Sequence, residues 1–73
     1  MTYYTARLRQ VREANNLTQR EMSDILGISQ QHYSMYERGK RILDIEQVIR
    51  VCRALNTSAD YLLGLSDEQR ALR

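Results

Sequence analysis

Leu17–Arg38 reads LTQREMSDILGISQQHYSMYER, and its spacing predicts two short helices with a turn at Gly27. Thr18 suits the N-cap of the first helix, because its hydroxyl accepts from a backbone N–H that the first turn leaves without a partner. Glu21, three residues on, can reach back to the cap's own N–H, which completes a capping box. Leu17 and Met22 stand at the two positions of a hydrophobic staple. Eleven residues later the pattern repeats, with Ser29 as cap and Ile28 and Tyr33 as the staple pair. Between the two, Gly27 supplies the positive φ that a position just past a helix end prefers. Helix, glycine turn and capped helix make a helix-turn-helix over about residues 18–38.

The second of these helices, starting at Gln30, has two chemically distinct faces. At about 100° per residue, Tyr33 and Tyr36 point one way, and Gln30, Gln31, Ser34, Met35 and Arg38 point the other. The outer face carries no charge before Arg38. A glutamine amide can bond N6 and N7 of adenine together, so Gln30 and Gln31 suit the reading of base edges. Taken alone, the pair reads first as two soluble helix formers, and the surrounding motif reverses that reading. His32 and Glu37 flank the two faces.

Outward from this motif, the spacing of Tyr4, Leu8 and Val11 predicts a first helix from about Tyr3 to Ala14, ended by Asn15 and Asn16. Arg7, Arg9 and Arg12 occupy its remaining faces. After a connecting loop, RGKRIL, Asp44 caps a fourth helix, and Gln47 stands where it would close a second capping box. Val48, Val51, Cys52 and Leu55 line one face of that helix, and Asn56 can take a left-handed C-cap. Ser58 caps a short fifth helix through Leu63, ended by Gly64. The tail, residues 66–73, offers Ser66 and Gln69 for a sixth helical turn or else frays. Every element reads as helical, so the expected fold is a compact all-α domain over residues 1–65 followed by that tail.

LTQREMSDILGIS, with YERGK after it, resembles the helix-turn-helix of the phage repressor and Cro family and its small xenobiotic-response-element-like relatives. Arg9 and Arg12, Leu17-Thr18-Gln19, Gly27, Glu37-Arg38-Gly39-Lys40, and Ala54-Leu55 through Leu62-Leu63-Gly64 carry the likeness, which runs from about Tyr4 to Leu65. It implies a five-helix repressor-like domain that binds double-stranded DNA to regulate transcription, most simply as a repressor. It implies base reading by Gln30, Gln31, Ser34 and Met35, and phosphate contact by Gln19, Ser29, Arg38, Lys40 and Arg41. It implies an ion pair between Arg12 and Glu37, and a homodimer on a near-palindromic operator, joined through Asn56 to Leu65 with Leu72. The chain departs from the family pattern at Leu43, often proline, at Asn56, often glycine, and at Thr57, often apolar. Ser23 stands for a common alanine and Ile25 for a common polar residue.

Composition bounds the remaining readings. Seventy-three residues make one domain. One cysteine allows no intramolecular disulfide, no apolar run approaches the ~20 residues that span a bilayer, and the N-terminus lacks a signal peptide's apolar core. The expected setting is cytoplasmic, with no membrane partner. The net charge of +2 is unevenly spread. Residues 1–20 and 38–53 each carry +3, while residues 21–37 carry −3, so positive charge brackets the helix pair. That arrangement suits phosphates at the edges and bases in the middle. His32 and Cys52 lie on unrelated faces, giving no nucleophile–base pair and too few ligands for a metal. No enzyme activity, metal or cofactor is therefore expected. Cys52 reads as a core residue and His32 as an exposed one. A protein-interaction module on the same fold, such as an antitoxin or an anti-repressor, is the competing class.

Overall fold

A computed structural model describes residues 3–71, apart from the side chain of Tyr3. The chain folds into α1 (Tyr3–Ala14), α2 (Gln19–Leu26), α3 (Gln30–Glu37), α4 (Ile45–Leu55) and α5 (Ala59–Leu62), with no strand among the described residues. α1 buries Leu8 and Val11, and packs against α3 and α5. It stops at Asn16, which takes a left-handed φ of 57°, while the Asn15 side-chain amide donates to Val11 O.

The α2–α3 pair is held at each end by the chemistry its sequence announces. Thr18 Oγ1 accepts from Glu21 N at 3.0 Å, and Thr18 N donates to Glu21 Oε1 at 2.8 Å. Ser29 Oγ accepts from His32 N. Gly27 sits at φ 70°, where a side chain would be strained. Both members of each staple, Leu17 with Met22 and Ile28 with Tyr33, pack into the core. Ser23 is buried where α2 meets its neighbours, and its hydroxyl donates to Arg20 O at 2.6 Å. That bond satisfies the one polar group introduced by replacing an alanine.

α4 packs on α2 and α5 and buries Val51 and Cys52, with Val48 and Leu55 half-buried beside them. Burial pushes the Cys52 thiol up, as for any small apolar core residue. Asp44 caps α4 by accepting from Gln47 N at 2.8 Å. The expected second box does not close. Gln47 turns inward instead, is buried, and leaves its Oε1 without a partner among the described residues. Turning in buries its methylenes against the core, which outweighs one extra cap bond at this solvated helix start.

Ser58 caps α5 through Tyr61 N, Leu62 is fully buried, and Gly64 follows at φ 79°. The tail forms no sixth helix over residues 66–71. Its backbone is bonded elsewhere: Ser66 O accepts from Arg7 Nη1, and Arg70 O accepts from Ser58 N at 2.9 Å. Ser66 Oγ accepts from Glu68 N, two residues on, so the chain turns there instead of entering a helix. Leu72 lies outside the described residues.

Candidate nucleic-acid interface

α3 exposes Gln30 and Gln31, with Ser34 and Met35 half-buried beside them and Arg38 exposed at the end. The opposite face buries Tyr33 and Tyr36, whose rings meet edge to face at 6.3 Å between centroids. This division follows from the helical period alone, since residues 33 and 36 are one turn apart. α3 therefore offers outward two adjacent neutral amides, a hydroxyl and a thioether.

The loop after α3 is anchored more firmly than its sequence suggests. Lys40 N and Arg41 N both donate to Met35 O, at 2.8 and 3.2 Å, and satisfy one of the last carbonyls of the helix. Gly39, at φ 75°, permits that turn. Tyr4 Oη, on α1, donates to Arg41 O at 3.3 Å, and Leu43 buries its side chain against the core. Lys40 and Arg41 are both exposed beside the C-terminal end of α3, with no ion pair among the described residues.

Beneath this surface lies a polar cluster centred on Glu37. Arg12 Nε donates to Glu37 Oε2 at 2.7 Å and Arg12 Nη2 to Oε1 at 3.3 Å, a two-point fork. The two side chains retain 11% and 5% exposure. Arg12 Nη1 also donates to Leu17 O at 2.8 Å. Tyr33 Oη donates to Glu37 Oε2, and Gln19 Nε2 donates to Glu37 Oε1 at 3.0 Å. One carboxylate thus joins α1, α2 and α3, and Arg12 ties in the α1–α2 loop. The cluster engages Gln19 through its side-chain amide. Sequence reasoning saw the arginine but missed Gln19 and Tyr33 as co-ligands. The i, i+4 spacing of Tyr33 and Glu37 was the available signal.

Burial opposes ionisation of Glu37, but the bonds from Arg12 and Tyr33, the Arg12 charge and the Gln19 amide outweigh it and hold the carboxyl below its ordinary value. The bond to Glu37 raises Arg12. Burial, then the bond to Glu37, raises Tyr33, so its phenol stays protonated. The linkage has one sign. A carboxyl whose folded pKa lies below its unfolded value stabilises fully above about pH 4.5, and that stabilisation is lost as pH falls through the folded value. Glu37→Gln is therefore expected to flatten the acid limb of stability against pH. Denaturant titrations from pH 7 down to pH 3 check this.

His32 departs from the exposed position expected of it. It is half-buried, its ring 5.1 Å from that of Tyr36, and its Nε2 is buried with no partner among the described residues. The two rings meet at a tilt of 49°, four residues apart on one face of α3. Ser29 remains exposed with its hydroxyl serving as the α3 cap. Ile25 is 40% exposed on α2. No helix among the described residues is long and apolar enough to cross a membrane.

The helix-turn-helix family profile matches residues 8–62 of the chain, which covers all of this site. The chain is 34% identical over 65 residues to the HTH-type transcriptional regulator YobD of Bacillus subtilis, spanning 89% of this chain and 58% of YobD. It is 38% identical over 68 residues to the cryptic phage CTXphi transcriptional repressor RstR of Vibrio cholerae, spanning 90% of this chain and 61% of RstR. The crystal structure of the clp gene regulator ClgR from C. glutamicum superposes with a TM-score of 0.74 at 32% identity, over 82% of this chain and 78% of that one. The chain thus spans about three-fifths of the length of these two sequence relatives.

Proposed function

The chain belongs to the helix-turn-helix family, and on that premise we propose that it is a double-stranded DNA-binding transcriptional regulator, acting as a repressor, with α3 in the major groove. The observation that carries this reading is the composition of the exposed α3 face. It is an exposed pair of neutral amides, Gln30 and Gln31, in a stretch, residues 21–37, that carries no Lys or Arg and is flanked by positive charge. Neutral amides discriminate bases while adding little charge attraction, and exposed Lys40 and Arg41 supply attraction without discrimination. Gln30, Gln31 and Ser34 meet base edges, and Met35 makes apolar contact with a thymine methyl. The Gln19 backbone N–H lies at the positive end of α2 and faces a phosphate. Ser29, Arg38, Lys40 and Arg41 complete the backbone contacts.

One recognition helix covers only a few base pairs, so specificity calls for two copies on a near-palindrome, their helices about 34 Å apart. The surface offered for pairing with a second copy is Asn56 to Leu65, where Leu63 and Leu65 are 40% and 78% exposed. It adjoins a largely apolar groove between α4 and α5 lined by Val48, Ile49, Cys52, Arg53 and Ala59.

The test is duplex binding measured across a salt series. Affinity is expected to fall steeply and linearly on a log–log plot, and Lys40→Ala is expected to weaken binding to all sequences alike while shallowing that slope by about one unit. Salt-independent binding, or none to any duplex, would instead favour a protein-interaction module.

A further inference from the structure

Arg7 on α1 takes no part in the Glu37 cluster or in the α3 surface. Its side chain is only 15% exposed. Nη1 donates to Tyr61 O at 2.7 Å and to Ser66 O at 2.9 Å, while Nη2 donates to Asp67 Oδ1 at 3.3 Å. Its guanidinium carbon lies 4.0 Å from the centre of the Tyr61 ring. These contacts fall on a segment that cannot hold its own shape. α5 has four residues, too few for a helix to persist unaided. The segment is drawn closed by Leu65 N and Ser66 N donating to Asp60 O, and by Ser58 N donating to Arg70 O. Arg7 ties that closed segment to α1. Five residues on, about 7.5 Å along the same helix, Arg12 holds Glu37 at the end of α3.

We propose that Arg7 is a positioning residue for half-site spacing. Acting with Arg12 through α1, it fixes the angle between the Asn56–Leu65 surface and α3, so that two recognition helices fall at a single separation. This rests on the two-fold pairing set out above. A tilt of about 10° across the 25 Å width of the domain moves its far side by about 4 Å, more than the roughly 3.4 Å rise of one base pair. Small errors at α5 therefore become whole base-pair errors at the DNA. The planar fork matters because one Nη1 reaches two carbonyls at once, of Tyr61 and Ser66, in fixed directions, which a lysine's point charge does not.

The test uses the full chain, an isolated half-site duplex, and a series of duplexes in which the two half-sites are moved apart one base pair at a time. Wild type is expected to favour one spacing. Arg7→Met is expected to keep its affinity for the isolated half-site within about twofold and to lose roughly tenfold of its preference for the favoured spacing, the scale of one charge-assisted hydrogen bond. Arg7→Lys is expected to fall between the two. The proposal is overturned if Arg7→Met keeps the full spacing preference. It is equally overturned if both variants lose half-site and spaced-site affinity in parallel, which marks a role in folding alone. A wild type without any spacing preference would overturn the two-fold reading itself, and is told apart because it appears before any substitution is made.

Discussion

Arg12→Met is expected to lower folding stability by roughly 3–5 kcal/mol, the cost of leaving a buried charge unpaired. The magnitude follows from what Glu37 would keep and lose. Its side chain is 5% exposed, so little water can replace the guanidinium fork. The Tyr33 and Gln19 donors would remain, but neither carries charge. Leu17 O would lose its donor as well. Glu37→Gln is expected to cost less than Arg12→Met, since its amide keeps an oxygen for Tyr33. The double change Arg12→Met with Glu37→Gln is expected to cost less than the two single changes together, with a coupling of about 1–3 kcal/mol. Chemical denaturation of the four proteins of this cycle measures it. Zero coupling would mean that the cluster does not tie α1 to α3.

Gln30→Ala or Gln31→Ala is expected to cost about 1–3 kcal/mol of binding at one base position, with the salt slope nearly unchanged. Both side chains are exposed, so truncation leaves the core untouched and folding stability should move by less than about 0.5 kcal/mol. The readout is affinity for the operator against duplexes substituted one base pair at a time. Loss of preference at a single position assigns that glutamine to it. An equal fall on operator and random duplex would make either glutamine a general contact and not a reader.

How much of this was legible beforehand depends on the range of each interaction. Thr18 with Glu21, Ser29, Asp44 and Ser58 act within one helical turn, and Gly27 and Asn56 act on their own backbone, so the order of residues suffices to place them. The inward turn of Tyr33 and Tyr36 follows from periodicity in the same way. Arg12 with Glu37 spans 25 residues and was reached only through resemblance to a family. Arg7 was read as lying on a remaining face because two of its partners are backbone carbonyls, of Tyr61 and Ser66, and carbonyls have no sequence signature. The same holds for Tyr4 on Arg41 O. Gln47 misled for a different reason. A glutamine three residues after an aspartate satisfies a capping pattern, yet only packing decides whether its side chain turns back or in.

The central claim is that α3 reads base pairs as one half of a two-fold complex, and selection of bound sequences from random duplex DNA tests it most directly. The expected outcome is recovery of a near-palindrome whose half-site centres lie one helical turn, about 34 Å, apart. Recovery of no enriched sequence, after salt-dependent binding has been observed, would contradict it.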